Sequence, residues 1–194
     1  MPRWSKGEAA VESLVRSKEL EHVTGAAADG ASLLETAQKT VATAAALVQD
    51  DARSAYVLAY DAARLACSAL LTQQGMRATS KGGHYAVEQV VRAQFGDRFR
   101  PFADLRRRRN ELEYPHGPAD TTTPDEAEQD IEETKLLISA ADSLLGHLSF
   151  FAQPEPLTMP QGWLDSSVRR GHDYPAHTDG IIGARKAHVC LPIG

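Results

Sequence analysis

The chain has 194 residues, enough for one well-cored domain with an appendage, and 42% of them are hydrophobic. Aromatic residues make up only 6% while alanine is plentiful, which favours close-packed helices and argues against a β-sandwich. A net charge of −5 argues against a general nucleic-acid coat protein, so any RNA contact must be local.

The predicted elements are helices separated by short breaks. The first spans Gly7 to Val23, with Val11, Leu14, Val15 and Leu20 as a loose apolar stripe. Ser5 is its expected N-cap, Glu8 completes a capping box, and Gly25 closes it. A second runs from Asp29 to Val48, with Leu33, Leu34, Ala37, Val41, Ala44 and Ala45 recurring at helical spacing. Asp50 and Asp51 cap a third, Ala52 to Gln74, which Gly75 terminates. This third helix is apolar round most of its circumference and is expected to be central; its exceptions are Arg53, Asp61 and Arg64.

Met76 to Gly83 reads as a loop, and a fourth helix follows from His84 to Phe95, broken by Gly96. There His84 is expected to cap the helix and bond a backbone carbonyl. An arginine-rich helix covers Pro101 to Tyr114, and Pro115 ends it. Thr123 is the expected N-cap of the last helix, which starts at Pro124 and runs to Phe151. Its first turns carry Asp125, Glu126, Glu128, Asp130, Glu132 and Glu133. They suit the helix dipole as a solvated face, or form a docking surface for a basic run of the same or a neighbouring subunit.

From Gln153 onward the composition changes. Pro154, Pro156, Pro160, Pro175 and Pro192 punctuate a stretch without sustained period, so residues 153–194 are expected to be a tail, disordered or draped. Trp163, Leu164, Ile181 and Ile182 are its candidate groove anchors. The expected fold is all-α: an N-terminal helix over 1–28, an up-and-down bundle of about five helices over 29–152, and the irregular tail. Cys67 and Cys190 lie far apart and support neither a disulfide framework nor a metal site. His172, His177 and His188 lack ligand-like spacing, so no metal and no cofactor is expected. The absence of an apolar leader and of any run of about 18 apolar residues predicts a cytoplasmic chain without a membrane span.

The stretch Leu105-Arg106-Arg107-Arg108-Arg109-Asn110-Glu111-Leu112-Glu113-Tyr114-Pro115-His116-Gly117 carries the most chemistry. With Leu105 at zero on a helical wheel, Phe102 lies at about 60° and Leu112 at about 340°. Arg109, at about 40°, falls inside that apolar stripe, with Glu113 one turn on. Arg107 points roughly the opposite way, while Arg106 and Asn110 flank the stripe. Arg109 then serves as a structural ion pair with Glu113 at the stripe edge, or as a phosphate ligand. Tyr56, Tyr60, Asp61 and Arg64 on the third helix are expected to form a polar cluster with Arg109 or Glu113, structural or positioning.

The third helix, the Gly82-Gly83-His84 loop, the helix ending in Arg108-Arg109-Asn110 and the closing His116-Gly117 together resemble the HEPN superfamily, over residues 30–150. That family consists of α-helical bundles, often dimeric, many of them metal-independent ribonucleases acting as toxins or defence effectors. Its signature is an Arg with a His four to six residues later, the residue after the Arg commonly being Asn, Asp or His. Arg109-Asn110 matches the first half, and His116 follows with six residues between. Tyr114 stands where the commonest active form places His, and His116 lies beyond Pro115. The resemblance implies Arg109, Asn110 and His116 as catalytic residues. Arg109 would clamp the phosphate, Asn110 would orient it, and His116 would act as acid or base. Tyr114 would bond a phosphate oxygen or stack on a base, and Glu113, Asp61, Tyr60, Arg64 and Arg106 would support the site. It also implies a homodimer and RNA as partner. The alternative is a non-catalytic HEPN interaction module that binds a protein, such as a nucleotidyltransferase antitoxin.

Overall fold

The computed structural model describes residues 6–115, 117 and 121–151. The expected tail, His116 and the Ser5 cap lie outside the described residues. Helix α1 spans Glu8–Arg16, with Gly7 at its N-cap in the left-handed region (φ +79°). It stops seven residues before the expected Val23. The cause is a Schellman closure: Lys18 takes φ +61°, its N–H donates to the Val15 carbonyl, and the Glu19 N–H donates to the Leu14 carbonyl at 2.9 Å. The chain leaves extended, and Leu20–His22 forms strand β1 rather than more helix.

A 3-10 turn over Gly25–Ala28 leads to α2, Gly30–Leu47, whose N-cap Asp29 accepts from the Ser32 N–H at 3.1 Å. Asp51 caps α3, Ala52–Gln73, by accepting from the Ser54 N–H at 3.0 Å. Gly75 ends it at φ +74°, as its position predicts. Part of the expected loop is instead strand β2, Met76–Ala78. It pairs antiparallel with β1 in the register Leu20 to Ala78 and His22 to Met76. Helix α4 spans Gly83–Phe95, a 3-10 turn covers Gly96–Phe99, and α5 spans Arg100–Glu113. Helix α6, Pro124–Leu145, opens with a full capping box between Thr123 and Glu126.

The architecture is an all-α bundle with one small β-ladder. Helix α3 is its axis, packed against α2, α6, α4 and α5. Ala55, Ala59, Ala62, Ala63, Ala66 and Ala69 on α3 are fully buried, and these small side chains let neighbours approach closely. Gly30 shows how closely: a Cβ there would lie 2.5 Å from the Ala69 carbonyl oxygen. Helix α5 inserts Phe102, Leu105 and Leu112, the stripe its period predicts. Tyr56 on α3 donates from its hydroxyl to the Leu105 carbonyl at 2.6 Å, and Arg53 donates to the Leu112 carbonyl at 3.0 Å. These bonds fix the rotation of α5 about its own axis.

Residues 6–28 are built into the same body, because α1 rests on α4 and β1 is paired with β2. Helix α6 ends at Leu145 instead of Phe151. The chain then returns to the end of α3, where the Phe151 N–H donates to the Gln74 carbonyl at 2.9 Å. The buried Gln74 and Gln94 amides bond each other reciprocally at 3.2 and 3.1 Å. No helix among the described residues is long and apolar enough to cross a membrane.

Candidate functional site

The four arginines of α5 have four different surroundings. Arg107 is 68% exposed and pairs with Asp104 on its own helix. Arg108 donates to the Thr121 carbonyl at 2.7 Å and lies 3.3 Å from Glu111 and 3.8 Å from Glu126. The acidic start of α6 therefore takes one arginine of its own chain's basic run. Arg109 is half-buried, paired with Glu113, and its guanidinium sits 5.7 Å from the centre of the Tyr60 ring. Arg106 donates through Nε to the buried Glu88 carboxylate at 2.7 Å and lies 5.7 Å from the Tyr85 ring centre.

Tyr60 joins these groups. Its ring is fully buried on α3, stacked 6.0 Å from Phe102 with only 4° between the planes. Its hydroxyl reaches the other way and lies 2.5 Å from Nδ1 of His84, in the first turn of α4. Asp61 follows Tyr60 and holds Arg64 through Nε at 3.2 Å. An open cleft of 330 Å³ beside His84 is lined by Gly82, Gly83, His84, Tyr85, Arg106 and Asn110; Arg109 and Tyr60 are not among its lining residues.

The electrostatics of the pair are set by its surroundings. Partial burial of the His84 ring, then the charges of Arg64, Arg109 and Arg106, hold its pKa below the usual histidine value, against an opposing pull from Asp61. Both effects favour the neutral form of the imidazole. Burial pushes the Tyr60 phenol up to about 12 in spite of the same arginines, so it keeps its proton. With Nδ1 committed to the Tyr60 hydroxyl, Nε2 is the nitrogen left for a ligand, and it can accept a proton in the tautomer whose Nδ1–H donates to the Tyr60 oxygen.

Of the residues singled out from sequence, the fold brings Arg109, Glu113 and Tyr60 into contact and sets Arg106 and Asn110 on one cleft. Arg64 lines a pocket with His84, and the charges of Arg64 and Asp61 act on its ring in opposite directions. Tyr114, 70% exposed at the end of α5, is not among the cleft residues, and His116 lies outside the described residues. Sequence reasoning missed His84, which bonds Tyr60 rather than capping α4 through a carbonyl. It missed Glu88 and Tyr85 as well. The only sequence signal was Tyr60 and Arg64 at i and i+4 on an apolar helix, which marks a polar spot without naming its partner across the fold.

The cluster is not a bare basic patch, since Arg64, Arg106 and Arg109 each have a carboxylate, from Asp61, Glu88 and Glu113. Among the described residues no group of His, Cys, Asp and Glu is arranged to hold a metal ion. Comparison with known protein families, with curated proteins and with solved structures returns no match to this chain.

Proposed function

We propose that this chain is a HEPN-like, metal-independent endoribonuclease, a cytoplasmic toxin or defence effector acting as a homodimer. The observation that carries the reading is the His84 imidazole, 2.5 Å from the hydroxyl of buried Tyr60, under the charges of Arg64, Arg109 and Arg106, and lining one cleft with Arg106 and Asn110. In this reading His84 takes the proton from a ribose 2′-hydroxyl. The 2′-oxygen attacks phosphorus, and the 5′-oxygen leaves with a proton from an acid. His116, of the same subunit or its partner, is the acid assigned by the family resemblance. Arg109 clamps the phosphate and stabilises the phosphorane charge, while Asn110 orients it.

A second reading, the non-catalytic interaction module, is favoured by one observation: each cluster arginine already has a carboxylate partner. Arg109 would then hold an interface with a second copy or another protein.

The deciding experiment incubates RNA with the protein in excess chelator and compares wild type with Arg109→Ala, His84→Ala and His116→Ala. The expected outcome is cleavage by wild type that drops by about a hundredfold or more in Arg109→Ala, His84→Ala and His116→Ala. Equal cleavage in all four proteins removes the site assignment. A wild type that cuts nothing, with an Arg109→Ala variant of lower Tm and altered oligomeric state, establishes the interaction module instead.

A further inference from the structure

His84 and Gly83 also border a second space, a pocket of 290 Å³ between α2, α3, β2 and the start of α4. This is close to the lower end of the range of about 300–1,000 Å³ in which small-molecule sites fall. Its floor is apolar: Leu71 and Val87 are buried, and Leu33 and Leu65 are partly buried against the core. Its rim is cationic and polar. Arg64 and Ser68 line it from α3, Arg77 from β2, and Thr79 from the segment that follows β2.

Both arginines are held in place without being used up. Arg64 gives one of its N–H groups to Asp61, and Arg77 gives two to Glu21 at 2.9 and 2.5 Å. A guanidinium carries five donors. The mouth beside Gly83 is open, since a Cβ added there meets nothing within 4 Å. An apolar floor gives a bare inorganic anion nothing to bury, and a rim with two guanidiniums favours a negative head over an uncharged one.

We propose that this pocket binds a small amphipathic anion: an apolar body seated on Leu33, Leu65, Leu71 and Val87, with a carboxylate or phosphate-monoester head between Arg64 and Arg77. The pocket shares Arg64 and His84 with the proposed RNA site, but the ligands and the variants that test it, Ser68→Leu and Arg77→Gln, involve neither residue. Its test reads binding alone, so either idea can fail without the other.

The test is an amide NMR titration of the full chain with octanoate, octyl phosphate, octanol and inorganic phosphate. Saturable shifts centred on Leu71, Ala78, Gly83 and Val87 are expected with octanoate or octyl phosphate, and the stronger of the two identifies the head. Octanol and inorganic phosphate are expected to bind at least about tenfold more weakly, the factor that one lost charged contact of about 1.4 kcal/mol gives. Ser68→Leu, which fills the pocket, and Arg77→Gln, which removes an exposed rim charge, should each weaken the preferred ligand by a similar factor. Arg77→Gln keeps the test valid if Ser68→Leu does not fold. The proposal is overturned if neither headed ligand saturates, if octanol binds as tightly as octanoate, or if Arg77→Gln leaves affinity unchanged.

Discussion

Asp130 is half-buried on α6, and burial, together with Glu133 and Glu126, pushes its carboxyl up to about 6 against an opposing pull from Arg108. In the unfolded chain the same group titrates at about 3.9. The folded state thus binds the proton more tightly, so the associated stability is fully present below about pH 4 and is lost as pH rises through about 6. Asp130→Asn removes that loss. We expect it to stabilise the protein at pH 7.5 by about 1 kcal/mol, a value discounted for the part of the side chain that water still screens, and to change nothing of that kind at pH 4. Urea midpoints at the two pH values measure this. A variant no more stable than wild type at pH 7.5 refutes the assignment. Burial moves the His84 pKa the other way, because it disfavours the charged form of a base as it does that of an acid, and the neighbouring arginines add to the lowering.

At the scale of elements, the joint between β1 and α4 decides where His84 stands. The Thr79 N–H donates to the Glu19 carbonyl at 2.9 Å, and the Thr79 hydroxyl donates to the Lys18 carbonyl at 2.7 Å. Gly82 passes so close that a Cβ would lie 2.3 Å from the Glu19 carbonyl oxygen and 2.8 Å from Ala86 Cβ. Both obstacles are backbone or helix-fixed, so neither can swing away. Gly82→Ala should cost about 2 kcal/mol by overpacking. That lowers Tm by about 6 °C for a chain of this size, read by circular dichroism. An unchanged Tm would mean that the joint yields freely. This joint was also the least legible part of the sequence. Helices α2, α3 and α6 announce themselves through Asp29, Asp51 and Thr123, whose side chains cap their own backbones, and through the stop at Gly75. The end of α1 does not, because Lys18 occupies the left-handed position where glycine is the usual signal. The β-ladder it creates joins segments distant in sequence, which no local period reveals. The site divides likewise. The inward aim of Arg109 follows from helical geometry, while the Tyr60–His84 contact exists only because α3 and α4 pack together.

At the scale of the whole molecule, a chain of net charge −5 must hold RNA, if it does, through a few local cations. The cluster offers Arg64, Arg106 and Arg109, each sharing its charge with a carboxylate. Single-stranded RNA releases counterions with a slope of about −0.7 per phosphate contacted, so one subunit predicts a plot of log affinity against log salt with a slope of roughly −2. Between 50 and 200 mM salt, affinity should then fall roughly fifteenfold. A strand bridging the two sites of a homodimer doubles the slope to roughly −4. Fluorescence anisotropy with a 2′-O-methyl RNA, which cannot be cleaved because the attacking hydroxyl is blocked, measures the slope without turnover. Arg109→Ala should reduce it by roughly 0.7 per subunit engaged. A flat plot would mean that these arginines meet no phosphate and would leave them to their carboxylates. A slope much steeper than −4 would require a broad basic face, which the paired arginines of α5 do not provide.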